Sequence, residues 1–94
     1  MIKVIDIKDK GEFEEGLKKG GWKRGSFDGK EGFIKEEEKW LWVCLIYNSS
    51  AQFISFPLEE SSKVHSEGVK RLLEEIKALS ERLDFTTFGR IECG

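Results

Sequence analysis

The sequence is short of the residue types that usually carry chemistry. It has one histidine, His65, and two cysteines, Cys44 and Cys93, set far apart and in no C-x-x-C arrangement. Two thiols and one imidazole fall short of the four ligands of a structural zinc site, so no metal is expected. Cys44 reads as a free thiol packed as a small hydrophobe. A Cys44–Cys93 bridge, or an intermolecular bond through Cys93, are the alternatives. The glycines form neither G-x-G-x-x-G nor a phosphate-binding loop, so no nucleotide cofactor is expected. No serine or cysteine is marked as a nucleophile beside His65, which reads as a surface residue near a helix start. The many carboxylates show no pair spaced for acid–base work. These absences predict a protein without enzymatic activity.

Other absences concern location and composition. There is no apolar run long enough to span a bilayer, and no signal-peptide pattern follows Met1. A cytoplasmic protein without a membrane partner is the expectation. One Asn and one Gln stand against fourteen Glu and twelve Lys. That bias away from thermolabile amides resembles a thermophile's. The net charge of −2 argues against strong non-specific binding to duplex DNA.

What is present is one domain's worth of chain, residues 1–94, 38% hydrophobic and 36% charged. Its centre is Trp40-Leu41-Trp42-Val43-Cys44-Leu45-Ile46-Tyr47. This unbroken apolar and aromatic run reads as a strand buried on both faces. After Asn48-Ser49-Ser50 the segment 51–57 returns, ending at the only proline, Pro57. The pair is a hairpin. Before it, residues 22–27 and 31–36 form a second hairpin about Asp28-Gly29, a strong turn signal. Residues 2–7 alternate as a short strand. Asp9-x-x-Glu12 starts a helix as a capping-box-like pair, and Gly20-Gly21 ends it after Lys18 and Lys19. Gly11 and Gly16 weaken that helix by roughly 1 kcal/mol each relative to Ala, so docking must hold it.

A longer helix is predicted over 62–83, starting between Ser62 and Ser66. Val69, Leu72, Leu73, Ile76, Leu79 and Leu83 recur at three- and four-residue steps. Lys70–Glu74, Arg71–Glu75 and Lys77–Glu81 are expected as ion pairs on its outer side. Gly68 allows close approach to the sheet. Thr86 to Cys93 is a candidate last strand. The fold class is thus α+β: an antiparallel meander of about four or more strands, packed by one long C-terminal helix and one short N-terminal helix.

With a three-residue loop in the central hairpin, Leu41, Val43, Leu45, Tyr47 and Phe53 share one face. Trp40, Trp42, Cys44, Ile46, Ile54 and Phe56 share the other. The 69–83 helix is wide enough to cover one face. The 10–19 helix, with only Phe13 and Leu17, covers the other in part. An apolar surface is left over, and such a surface is costly unless it binds something. Between residues 18 and 30, five cations stand against Asp28 alone. Rings interleaved with Lys and Arg are what single-stranded nucleic acid needs, because bases stack on the rings while cations track phosphates. The candidate nucleic-acid-binding residues are Lys19, Trp22, Lys23, Arg24, Phe27, Lys30, Phe33, Lys39, Trp40 and Trp42. Glu36-Glu37-Glu38 opposes this reading, since it would repel phosphate. The alternative is a protein-interaction or homo-oligomeric assembly domain with its aromatic face buried between subunits.

The strands followed by Ile54-Ser55-Phe56-Pro57-Leu58 and the helix through Gly68-Val69-Lys70-Arg71-Leu72-Leu73-Glu74-Glu75-Ile76 resemble a known module. It is the strands-then-helix unit of the Whirly, Pur-type and transcriptional positive-cofactor families. The chain also looks like the ThermoDBP-type single-stranded DNA-binding proteins of archaea. Those resemblances imply a homo-oligomer that binds single-stranded DNA on a curved sheet or in an aromatic cleft. Gly20-Gly21-Trp22, Phe27-Asp28-Gly29 and Ile34-Lys35-Glu36-Glu37 look like the C-terminal domain of archaeal-type prolyl-tRNA synthetases. The zinc-binding cysteines of some members of that family have no counterparts in this sequence.

Overall fold

The structure, a computed structural model, describes residues 2–7, 9–82 and 91–92. The elements run β1 (Ile2–Asp6), α1 (Lys10–Lys19), β2 (Lys23–Phe27), β3 (Lys30–Glu36), β4 (Trp40–Ile46), β5 (Ser50–Pro57), α2 (Ser62–Arg82) and β6 (Ile91–Glu92). They build one antiparallel sheet in the order β2-β3-β4-β5-β1-β6. The expected α+β architecture, a meander with a short and a long helix, is what the chain forms. Leu83 and most of the expected last strand, Thr86 to Cys93, lie outside the described residues. No described helix is long and apolar enough to cross a membrane.

Local sequence explains the element boundaries. Asp9 caps α1, its Oδ1 accepting the Glu12 N–H at 2.9 Å. Beyond Gly20, Gly21 takes φ +92°, and the Trp22 N–H returns to the Leu17 carbonyl at 3.0 Å. Asp28 and Gly29 have φ +50° and +76°, the double left-handed conformation of a two-residue hairpin turn. The cap of α2 is Ser61, one residue before the expected range. Its Oγ accepts the Val64 N–H at 3.4 Å and its carbonyl accepts the His65 N–H at 3.0 Å.

The register of the central hairpin corrects the face assignment. Ile46 pairs with Ala51, and the Tyr47 N–H bonds the Ser50 carbonyl at 2.8 Å, so the loop is the two residues Asn48-Ser49. One residue fewer in the loop moves every β5 side chain to the opposite face relative to β4. Trp42 therefore lies across from Ser55 and Cys44 from Phe53, whereas Val43 lies across from Ile54 and Leu41 from Phe56.

Helix placement is a second correction. Both helices pack on one face, against each other and against the sheet. Phe13 and Leu17 of α1 and Leu72, Ile76 and Leu79 of α2 join Ile5, Phe33, Trp42, Cys44 and Phe53 in one core. The opposite face, carrying Val4, Phe27, Ile34, Leu41, Val43, Leu45, Ile54 and Phe56, has no described helix above it.

Candidate functional site

The tryptophans stand at the centre of the helix-covered face. Trp22 stacks on Trp42 at 6.1 Å and 26°, and Trp42 stacks on Trp40 at 6.1 Å and 24°. Each ring pair contributes about 0.5–1.5 kcal/mol beyond its burial. The Trp22 Nε1–H donates to Glu75 Oε1 at 3.4 Å and the Trp42 Nε1–H to the Gly68 carbonyl at 3.3 Å. Trp22 is 2% exposed and Trp42 4%, so neither offers a free ring face to a base. Trp40 is half-buried, and its Nε1 is buried with no hydrogen-bond partner among the described residues.

Gly68 lets α2 come this close. A Cβ there would stand 3.1 Å from Ser55 Oγ and 3.2 Å from Trp40 Cγ. The sequence flagged Gly68 as a point of close approach, and the contact is with the tryptophan strand.

The structure separates the ten expected binding residues. Trp22, Phe33, Trp40 and Trp42 belong to the helix-covered side. Arg24 faces that side too. Its guanidinium lies 3.6 Å from Glu14 and 5.3 Å from the Phe33 ring centroid. Lys23, Phe27 and Lys30 lie on the helix-free face, because Lys23 pairs with Ile34 and Phe27 with Lys30. Lys19 is exposed at the end of α1, and Lys39 is exposed in the β3–β4 turn, where its carbonyl accepts the Leu58 N–H at 2.8 Å. The basic segment is therefore split between two faces and a turn.

Residues outside the expected set close the gap between sheet and helix. Lys35 Nζ donates to the Gly20 carbonyl at 3.0 Å and lies 3.6 Å from Glu75. Glu75 thus serves Lys35 and Trp22, while Arg71 turns to Glu67 at 3.1 Å instead of the expected Glu75. A half-buried partner across the fold wins over an exposed one along the helix, because water screens it less. A cleft of about 340 Å³ lies here between α2 and the ends of β3 and β4, walled by Trp40, Lys35, Glu37 and Glu74. A wider hollow of about 750 Å³ adjoins it, with Lys23 and Arg24 facing Glu36-Glu37-Glu38. Carboxylates line both depressions alongside the cations, so neither has a lining of net positive charge.

The helix-free face buries its centre in another way. Val43 is 0% exposed and Leu45 5%. Phe27 of β2 and Phe56 of β5 meet across it, ring centroids 5.0 Å apart. These strands are three spacings apart and would stand about 14 Å from each other in a flat sheet. The sheet is therefore strongly coiled, and its own corners fold over the middle. Gly25 and Gly32 pair within it, and a Cβ on Gly32 would run into the Cys44 carbonyl oxygen. Around the closed centre Val4, Ile34, Leu41 and Ile54 remain half-buried. Tyr47 and Leu58, at 42% and 50%, are the exposed large hydrophobics among the described residues. They continue the alternation of β4 and β5 beyond this same face.

Cys44 is a free thiol, fully buried, and burial pushes its pKa well above the ordinary value. Cys93 lies outside the described residues. No group of three or more His, Cys, Asp or Glu side chains is placed to hold a metal among the described residues. No protein-family model, no curated protein and no solved structure matches this chain.

Proposed function

We propose that this protein is a non-enzymatic, cytoplasmic assembly module that pairs with a second copy of itself through the helix-free face of its sheet. One observation carries the proposal: an apolar sheet face with half-buried Ile34, Leu41 and Ile54 has no helix above it among the described residues, and the exposed Tyr47 and Leu58 extend it. Burying such a surface is worth about 25 cal/mol per Å². Its charges favour a second copy as occupant. Lys23 and Lys30 lie towards the β2 side and Asp6 on β1. Turning a copy over about an axis along the strands sets Lys30 opposite Asp6, which lies in the same row across the sheet, as an isologous interface requires.

Sedimentation equilibrium tests this. The wild type should run as a dimer that dissociates on dilution, and Ile54→Glu as a folded monomer with native circular dichroism. A wild type that stays monomeric at every concentration would remove the proposal.

Single-stranded DNA is the second reading, and with it the resemblance to ThermoDBP-type and Whirly or Pur-type modules. It is favoured by Lys23 and Lys30 flanking Phe27 on the same face. Labelled oligothymidylate at low salt should then bind, and Lys23→Glu with Lys30→Glu should abolish binding. Absence of any salt-sensitive anisotropy change would dismiss it.

A further inference from the structure

β2 ends the sheet, and the geometry points to its outer edge as a docking strand for an extended, acidic peptide segment of a partner protein. The hairpin turn fixes which backbone groups are available. A two-residue turn at Asp28-Gly29 makes Phe27 and Lys30 a hydrogen-bonded pair. Alternation then directs the N–H and C=O of Lys23, Gly25 and Phe27 towards β3. Those of Arg24 and Ser26 face outward, and no described backbone group bonds them.

Edge strands are usually blunted by proline, a bulge or an inward charge. β2 has no proline and pairs with β3 one residue to one without a bulge. Its charges leave the edge itself clear. The Arg24 guanidinium is drawn over the helix-covered face by Glu14 and the Phe33 ring, and Lys23 projects from the opposite face. What remains is an open backbone ladder with Lys23 on one side of it and Arg24, held by Glu14, on the other.

Cross-strand chemistry defines the occupant. In antiparallel pairing, Lys23 and Arg24 call for carboxylates. Phe27 calls for a β-branched or apolar side chain. Ser26 has Glu31 across from it on β3 and calls for a neutral residue. Paired antiparallel about Gly25, a second copy would set Lys23 against Phe27 and Arg24 against Ser26 and bring neither cation a carboxylate, so an acidic partner strand is favoured. This surface is separate from the helix-free face and does not depend on self-association.

The test uses a fluorescein-labelled peptide, Thr-Ile-Thr-Val-Glu-Glu-Thr, titrated with the full chain. The peptide should bind, more weakly as salt rises, and its Lys-for-Glu counterpart should not. N-methylation of the two amides that face Arg24 and Ser26 should weaken binding by about tenfold or more. Ser26→Pro should do the same with an unchanged thermal melt, because it removes an outward N–H and spares the β3 ladder. Ser26→Ala should bind as the wild type does. Binding that survives N-methylation would be electrostatic adhesion and would overturn the inference, as would no binding at all. A dimer of the chain abolished by Ser26→Pro would also overturn it, since the edge would then pair with its own copy. Should Ser26→Pro unfold, the N-methylated peptide on the wild type decides alone.

Discussion

On the helix-covered face, Phe33 and Phe53 are 1% and 0% exposed beneath side chains brought by α1 and α2. On the opposite face Val43 is also 0% exposed, yet no described helix lies above it. The first face is closed by separate elements that must dock. The second is closed by the coiling of one hairpin pair, with Phe27 brought against Phe56. The first route seals the core rings and leaves Trp40 and Ile46 half-buried at its margin. The second seals the centre and leaves a half-buried apolar rim. Among the described residues the sheet thus closes one face without a helix, and the rim, rather than the indoles, is the apolar surface left accessible there.

Substitutions that probe the two routes should differ in size. Phe53→Ala removes a sealed ring that meets Phe13 and Trp22 edge-on. It should cost about 3–5 kcal/mol in guanidinium unfolding, whereas Phe56→Ala on the half-buried rim should cost less than half of that. Equal losses would erase the distinction between the faces. Gly32→Ala should cost about 3 kcal/mol, because the added methyl meets a backbone carbonyl that cannot turn aside. A neutral result would show that the coil is looser than the contact implies.

Cys44 gives a pH signature for the covered face. Its buried thiol resists ionising in the folded state, so the unfolded chain loses its proton first. The stability this provides is complete below the ordinary thiol pKa of 9.0 and is lost as pH rises above it. Wild-type stability should fall by up to about 1.4 kcal/mol per pH unit more steeply than that of Cys44→Ala in that range. Parallel profiles would mean that the thiol is open to water.

The smallest effect is expected at Gly68→Ala. Helix propensity favours Ala by about 1 kcal/mol, but its methyl presses on Ser55 and Trp40. A net loss of about 1 kcal/mol should result, and a gain would show that α2 is free to lift from the sheet.

The elements were legible because their signals are local. The Asp9 cap, the Asp28-Gly29 turn and the three-four stripe through Leu72, Ile76 and Leu79 each lie within a few residues of chain. The faces were not legible, because one residue in the Asn48-Ser49 turn decides the side on which Ile54 and Phe56 appear. The fate of Trp22 and Trp42 depended on where α2 docks, which its own stripe does not specify. Gly68 was the one sequence hint of that docking site. The pairing of Lys35 with Glu75 joins distant segments, so helical spacing misassigned Glu75 to Arg71. The cations at Lys23, Arg24 and Lys30 were visible as a cluster, but strand alternation divides them between faces.

Methyl-labelled NMR spectra recorded over a range of protein concentration test the central claim most directly. On concentration, the methyl resonances of Ile34, Leu41 and Ile54 should shift or broaden while those of Leu72, Ile76 and Leu79 stay fixed. Movement confined to the α2 methyls, or no movement on either face, would contradict the assignment of the helix-free face as the working surface.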